Sequence, residues 1–190
     1  MTGWAVKLDA AGWISGARRI ASPNHDRRLR GATIDLLVIH NISLPPGKFG
    51  GDAIVRLFTN TLDTEEHPYY AQLQEVKVSA HFLIRRDGET IQFVACGKRA
   101  WHAGVSSWRG RERCNDFSIG IELEGDDHQP FAVAQYAALI RLTRRLCRNY
   151  PISGIAGHSD IAPQRKTDPG PHFEWAHYLG SLDRKFMRSE

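Results

Sequence analysis

The chain has 190 residues and a formal net charge of +4, with 42% hydrophobic residues, 24% charged residues and nine histidines. This apolar content supports a packed core and excludes a disordered or collagen-like chain. The small basic excess leaves nucleic acid, membrane surfaces and acidic small substrates open as partners.

The sequence contains no recognisable membrane segment or secretory signal, which predicts a cytoplasmic protein. The longest uncharged apolar run, at 36–39, is too short to span a bilayer, so no membrane segment is expected. The chain does not begin with a basic segment followed by an apolar one, so no secretory signal is expected. The widely spaced cysteines, Cys96, Cys114 and Cys147, are predicted to be reduced thiols in the cytosol.

The first part of the chain predicts one strand and one short helix. Residues 1–30 predict an irregular leader that packs on the domain. Residues 34–41 form a short run rich in leucine and β-branched residues, which indicates a buried strand. A Pro/Gly loop follows that strand. A short helix is expected over 53–59, and the polar stretch 60–75 predicts a long loop.

The middle of the chain predicts a hairpin and a further strand. Strands at 76–85 and 89–94 flank an Asp-Gly dipeptide, which is typical of a tight hairpin turn. Residues 95–116 are rich in Gly, Arg, Trp and Ser without periodicity, and a loop of this length is usually functional. Residues 117–124 alternate between apolar and polar side chains and predict a strand.

The last part of the chain predicts the one long helix, over 131–150, with an apolar stripe opposite a row of arginines. A short strand is expected at 155–158 and a short helix at 173–179. Together these elements predict an α/β fold of mixed (α+β) type, in which helices flank a central mixed β-sheet of four or five strands. We expect one domain over 1–190, with 34–172 as the part that carries the motifs.

Two histidines stand at the ends of predicted strands and could meet at one edge of the sheet. His40 ends the first strand, and His158 ends the last one. Two neutral imidazoles and one carboxylate suit zinc and leave a fourth position for water, as in catalytic sites. Asp160 and Asp168 are both candidates for the carboxylate, and each histidine taken alone could be structural.

Amide cleavage at such a site also requires a base for the water proton and a cation near the developing oxyanion. Glu122 lies within the predicted strand and shares a face with Glu124. A solvent-exposed strand face is the ordinary alternative for both. Lys166 is a candidate cation, and an exposed loop lysine is the ordinary alternative for it.

Motifs along residues 34–172 resemble, in order, those of the zinc N-acetylmuramoyl-L-alanine amidases, which share a fold with the peptidoglycan recognition proteins. They are Val-Ile-His-Asn at 38–41, Ser-Ala-His-Phe-Leu-Ile at 79–84, Ala-Trp-His-Ala-Gly at 100–104, Asn-Asp-Phe-Ser-Ile-Gly-Ile-Glu at 115–122 and Gly-His at 157–158. Segments 40–47, 110–116 and 165–170 resemble most closely the cytosolic, AmpD-type branch of this family.

The resemblance implies one Zn2+ ion with three protein ligands and a catalytic pair beside it. The ligands are His40, His158 and Asp168, and the pair is Glu122 and Lys166. The resemblance thereby selects one of the two candidate aspartates, and it leaves Asp160 as a turn residue or a partner of the ligands.

Four further residues are predicted to contact the substrate. Lys77 and Arg113 are expected to meet peptide carboxylates, and Asn41 and Trp101 to border the sugar or the lactyl group. Core packing is the alternative for Trp101. Relatives usually carry arginine where this chain has Lys77, and a lysine cannot form the bidentate fork of a guanidinium.

The resemblance implies a zinc amidase of cytosolic peptidoglycan recycling, which cleaves the bond between the lactyl group of 1,6-anhydro-N-acetylmuramic acid and L-alanine. Its partner would be a small muropeptide, without nucleic acid or membrane, and the protein would be a monomer. The alternatives are a lytic amidase on intact peptidoglycan and a non-catalytic module that binds peptidoglycan. The arginines of the long helix more often form a solvated face than a nucleic-acid site.

Overall fold

A central mixed β-sheet organises the computed structural model, which describes residues 8–183 and residue 186. The strands are β1 (Arg18–Arg19), β2 (His25–Arg27), β3 (Leu36–Ile42), β4 (Phe82–Ile84), β5 (Thr90–Gln92), β6 (Lys98–Ala100), β7 (Ser107–Trp108), β8 (Arg111–Glu112), β9 (Ser118–Glu124) and β10 (Gly154–Gly157). The helices are α1 (Ala53–Phe58), α2 (Val133–Asn149), α3 (His158–Ile161) and α4 (Trp175–Gly180), with 3₁₀ turns at Pro68–Leu73 and Cys114–Asp116.

The sheet has six strands in the order β1-β5-β4-β9-β3-β10. Strands β4, β9, β3 and β10 run parallel to one another, and β5 is antiparallel to β4. The carboxyl ends of these four parallel strands therefore lie at one edge. In this register His40 of β3 pairs with Glu122 of β9, and Gly157 at the end of β10 pairs with Ile39.

Both faces of the sheet are covered, as is usual for parallel strands. On one face, Leu37 and Ile39 of β3 pack against Leu139 and Leu146 of α2. On the other face, Leu36 and Val38 pack against Trp108 and other residues of the segment 103–117. Because side chains alternate along a strand, His40 points to the same face as Leu36 and Val38, away from α2.

The predicted central mixed sheet with flanking helices is confirmed, and the differences lie in the short elements. Residues 76–81, predicted as part of a strand, run beside the sheet, and the strand begins at Phe82. The predicted loop 95–116 contains β6, β7 and β8. The leader supplies β1 and β2, and its residues 1–7 lie outside the described part. Strands of two or three residues are too short to produce a hydrophobic period.

Among the described helices, none combines the length and the apolar character that a bilayer span requires.

The terminal helix α4 begins two residues later than predicted. The prediction that His158 ends a strand is wrong. His158 is the first residue of α3, because the backbone turns into the helix directly after Gly157.

Candidate metal centre

Three side chains from separate segments meet at the carboxyl edge of the sheet. His40 comes from β3, His158 from the start of α3, and Asp168 from the loop after α3. Nδ1 of His40 lies 3.0 Å from Nδ1 of His158, and both nitrogens lie within 3.1 Å of Oδ2 of Asp168. Both imidazoles are buried, and the carboxylate is 13% exposed.

The donor set and its spacing fit a zinc ion. Zinc bonds to nitrogen and oxygen measure about 2.0–2.2 Å, so ligand atoms of a tetrahedral site lie about 3.3 Å apart. The separations of 2.9–3.1 Å between these three atoms are close to that value. Three protein ligands also match the catalytic class of zinc sites, which keep a fourth position open.

The structure separates the two candidate aspartates. Although burial would raise the pKa of Asp168, its short contacts with His158 and His40 lower that pKa below its usual range. Asp160 points elsewhere: its Oδ2 accepts a 2.7 Å hydrogen bond from the backbone N–H of Gly157, which caps α3. Asp168 is therefore the carboxylate that the fold brings to the two histidines.

Glu122 lies beside the cluster, across the β3–β9 ladder from His40. Its side chain is buried, and Oε2 has no hydrogen-bond partner among the described residues. Burial raises the pKa of Glu122 well above its usual range, and the charge of Asp168 raises it further. A buried carboxylate oxygen without a partner is rare in native proteins and points to a functional role.

The second carboxylate on this strand face is held differently. Glu124 is also buried, and its Oε1 forms a 3.0 Å ion pair with Arg85 and accepts a 2.8 Å bond from the N–H of Gly50. Neither Glu122 nor Glu124 therefore lies on a solvent-exposed face. The two differ in that Glu124 has fixed partners, whereas Oε2 of Glu122 has none among the described residues.

Lys166 lies on the exposed loop that leads to Asp168. Burial lowers the pKa of His40, and the positive charge of Lys166 lowers it a little further. The same charge opposes the upward shift of the pKa of Glu122. Lys166 is therefore close enough to act electrostatically on the cluster and on the buried carboxylate.

The four predicted substrate contacts lie in different environments. The amide nitrogen of Asn41 donates to Asp127 at 2.8 Å and to the carbonyl of Pro169 at 3.1 Å. Trp101 is half-buried, and its side chain donates a hydrogen bond to Asp26. The pKa of Asp26 is lowered mainly by its hydrogen bond with Arg99 and more weakly by the bond from Trp101. Two cations, Lys77 and Arg113, are exposed, and Arg113 forms a 3.1 Å ion pair with Asp116.

His81 has the bonds of a structural histidine. Its Nδ1 accepts from the N–H of Gly120 at 3.1 Å, so its Nε2 carries the proton and donates to the carbonyl of Lys98 at 3.1 Å. Burial lowers the pKa of His81 to about 3, and the charge of Arg28 contributes in the same direction. His81 is therefore neutral in the folded protein over the physiological range.

The low pKa of His81 predicts that acid destabilises the fold. In the unfolded chain a histidine binds its proton below about pH 6.5, whereas folded His81 binds it only near pH 3. Because the unfolded state holds the additional proton, stability contributed at this position falls as pH drops through 6.5 and continues to fall toward 3. Between pH 6.5 and 5 we expect a loss of about 2 kcal/mol.

Urea unfolding at about pH 7.5 and about pH 5 measures this effect in the wild type and in His81→Asn. Asparagine keeps an oxygen that can accept from Gly120, and it does not titrate. The free energy of unfolding of the wild type should fall more than that of the variant, by about 2 kcal/mol. Equal losses in both proteins would contradict the assignment, since the remaining histidines are common to both.

Comparison with known proteins identifies the family of the chain. Residues 30–171 match the family described as N-acetylmuramoyl-L-alanine amidase. The chain is 58% identical over 169 residues to the 1,6-anhydro-N-acetylmuramyl-L-alanine amidase AmpD of Escherichia coli K12, an alignment that covers 88% of this chain and 92% of that protein.

Solved structures of similar proteins have the same fold. A crystal structure of a selenomethionine derivative of AmpD superposes with a TM-score of 0.90 at 56% identity, covering 93% of this chain and 99% of that one. The E. coli amidase AmiD, in complex with the substrate anhydro-N-acetylmuramic acid-L-Ala-D-γ-Glu-L-Lys, gives a TM-score of 0.58 at 34% identity, covering 82% of this chain and 60% of that one.

Proposed function

Because the chain belongs to the N-acetylmuramoyl-L-alanine amidase family, we propose that it cleaves the amide between the lactyl group of 1,6-anhydro-N-acetylmuramic acid and the L-alanine of the stem peptide. One observation carries the proposal for this chain's own residues: two histidines and an aspartate converge beside a buried carboxylate, one oxygen of which has no hydrogen-bond partner among the described residues. The substrate is inferred from the relatives, which are 1,6-anhydro-N-acetylmuramyl-L-alanine amidases.

In the proposed mechanism, His40, His158 and Asp168 hold one zinc ion. When bound, zinc lowers the pKa of a coordinated water to about 7 and polarises the substrate carbonyl. Glu122 accepts a proton from the attacking water at Oε2, which has no hydrogen-bond partner in the described part of the chain. Glu122 then delivers that proton to the leaving nitrogen of L-alanine, so a single carboxylate serves first as base and then as acid.

We propose that Lys166 supplies the second positive charge of the reaction. Negative charge develops on the lactyl oxygen in the transition state, and a cation aimed at that position stabilises it. The exposed loop position leaves the ammonium group of Lys166 accessible to a substrate, and its charge already acts on Glu122. Because it is a compact point charge, it does not require the fork geometry of an arginine.

Four residues outside the cluster are proposed to contact the substrate. We propose that Lys77 and Arg113, both exposed, meet carboxylates of the stem peptide. Trp101 and the amide oxygen of Asn41 would border the sugar or the lactyl group. A muropeptide carries several carboxylates, so the small positive net charge suits a few cations near one cleft better than a polymer-binding surface.

The biological setting is part of the same proposal. We propose that residues 1–190 form one amidase domain that acts as a cytoplasmic monomer in peptidoglycan recycling, without a nucleic-acid or membrane partner. Support for this setting comes from the relatives, whose names specify the 1,6-anhydro form of the sugar.

Rates on two substrates test the proposal. Purified protein is assayed on an anhydro-muropeptide and on intact cell-wall sacculi, each with and without a zinc chelator. We expect kcat/KM for the muropeptide to be higher by about tenfold or more, which is about 1.4 kcal/mol of transition-state free energy. We also expect the chelator to abolish turnover and added zinc to restore it.

The other outcomes identify the alternatives. Faster cleavage of intact sacculi would favour a lytic amidase. Binding of muropeptide by zinc-loaded protein without turnover would favour a non-catalytic recognition module. Full activity in protein that holds no metal would contradict the zinc mechanism.

A further inference from the structure

We propose that His102 is a positioning residue for the metal ligand His40, and that the dipeptide of His102 and Ala103 orients both histidine ligands. This inference rests on the proposed zinc function. The inference concerns Nε2 of His40 and Nε2 of His158, which face away from the cluster. The proposed mechanism assigns no role to these two nitrogens. Histidines that bind a metal need their second nitrogen held, because that bond fixes both the tautomer and the angle of the ring.

A directed series of hydrogen bonds leads from His40 into the protein. Its Nε2 lies 3.0 Å from Nδ1 of His102, and Nε2 of His102 lies 3.2 Å from Oγ of Ser118. The Ser118 hydroxyl lies 2.6 Å from the carbonyl oxygen of Cys114. All the side chains of the series are buried, so water does not compete for these bonds.

The backbone carbonyl at the end of the series sets the direction of every bond. A carbonyl oxygen can only accept, so the short contact with Cys114 requires the hydroxyl proton of Ser118. Ser118 must then accept from the Nε2–H of His102, whose Nδ1 is left with a lone pair. That lone pair accepts from the Nε2–H of His40. Nδ1 of His40, which faces His158 and Asp168, is therefore the unprotonated nitrogen that a metal requires.

The next residue of the same loop orients the other histidine ligand. Nε2 of His158 donates to the carbonyl of Ala103 at 3.2 Å, which leaves Nδ1 of His158 unprotonated toward the cluster. Arg165 also donates to this carbonyl, at 3.0 Å. The side chain of His102 and the main chain of Ala103 thus set the same tautomer in both ligands.

The dipeptide is itself fixed from two sides. Oδ1 of Asn115 accepts from the backbone N–H groups of His102 and Ala103, at 3.2 and 2.9 Å. On strand β9, Gly120 lies against the imidazole of His102, where any Cβ would overlap the ring. A side chain at position 120 would therefore displace His102 from His40.

Zinc affinity tests the role without reference to turnover. Dissociation constants are measured on metal-free protein by competition with a chromophoric chelator, for wild type, His102→Phe, His102→Asn and His81→Asn. Phenylalanine keeps the ring shape but removes both nitrogens, and we expect its zinc affinity to fall by about 10- to 100-fold. Asparagine can present Oδ1 where Nδ1 of His102 accepts from His40, so its loss should be smaller.

His81→Asn is the matched control, since it alters a buried histidine whose ring centre lies 5.8 Å from that of His102 but which is bonded to Gly120 and Lys98. Its zinc affinity should equal that of the wild type. The d–d absorption of bound Co2+ should also change in His102→Phe and not in the control, because the coordination geometry follows the ligand orientation. Wild-type zinc affinity and an unchanged Co2+ spectrum in His102→Phe would overturn the proposal.

A second variant decides the question if His102→Phe does not fold. Ser118→Ala removes a single buried hydroxyl, and loss of one hydrogen bond of about 1 kcal/mol predicts about fivefold weaker zinc binding. Unchanged affinity in folded Ser118→Ala would overturn the positioning role. A wild-type protein that binds no zinc would instead overturn the proposed function, so the two failures are distinguishable.

Discussion

Replacing Glu122 with glutamine is expected to lower kcat by about 10²-fold or more while the zinc content stays at the wild-type level. Glutamine has nearly the same shape as glutamate, but its amide cannot accept the proton of the attacking water. Because the side chain is buried and lies beside the cluster without being one of its three donors, the fold and the metal should both be retained. Steady-state kinetics and zinc analysis of the same preparation measure the two quantities.

Glu124→Gln is the matched control on the same strand face. Its carboxylate is bonded to Arg85 and to the backbone of Gly50, so this variant should lower the thermal midpoint of unfolding. Its turnover should remain far closer to the wild type than that of Glu122→Gln. Wild-type turnover in Glu122→Gln would remove Glu122 from the mechanism.

Replacing Asp168 with alanine is expected to weaken zinc binding by about two orders of magnitude and to abolish turnover at low zinc concentrations. A four-ligand zinc site binds with about 10–16 kcal/mol, which is about 3 kcal/mol for each ligand. Removal of Asp168 leaves two imidazoles as the remaining protein donors of the cluster. Competition with a chromophoric chelator measures the affinity, and added zinc should restore part of the activity.

Asp160→Ala is the corresponding control, because it removes a carboxylate close to His158 in sequence. Its Oδ2 caps α3 through the N–H of Gly157, and the loss of such a cap costs about 1 kcal/mol of stability. Zinc affinity should change little. Metal loss in Asp160→Ala together with metal retention in Asp168→Ala would show that the wrong carboxylate has been chosen.

Local patterns predicted the long elements of the fold well. The apolar run before His40 became β3, and the amphipathic stretch 131–150 became α2. These elements are long enough to show a hydrophobic period, and that period determines which of their side chains face the core. The two strands of the leader escaped prediction because their pairing depends on distant partners: β1 pairs with β5, and β2 with β6.

The alternation of residues 117–124 was informative but incomplete. It predicted a strand, which β9 confirms, yet a polar face on a strand ordinarily implies solvent. Here the loop that includes His102 and the segment around Gly50 cover that face, so both Glu122 and Glu124 are buried. Burial of a strand face is decided by what packs on it, which a single strand's sequence does not contain.

The sequence by itself determined the residue types of the candidate site, their order along the chain and the family to which they belong. Periodicity and spacing alone left the choice between Asp160 and Asp168 open, and the resemblance selected Asp168. Only the tertiary structure decided which nitrogen of each histidine faces the cluster, and that His102 and Ala103 hold the opposite nitrogens. The physical reason is that these bonds join segments up to 62 residues apart, whose meeting depends on the register of parallel strands and on one buried carbonyl that can only accept.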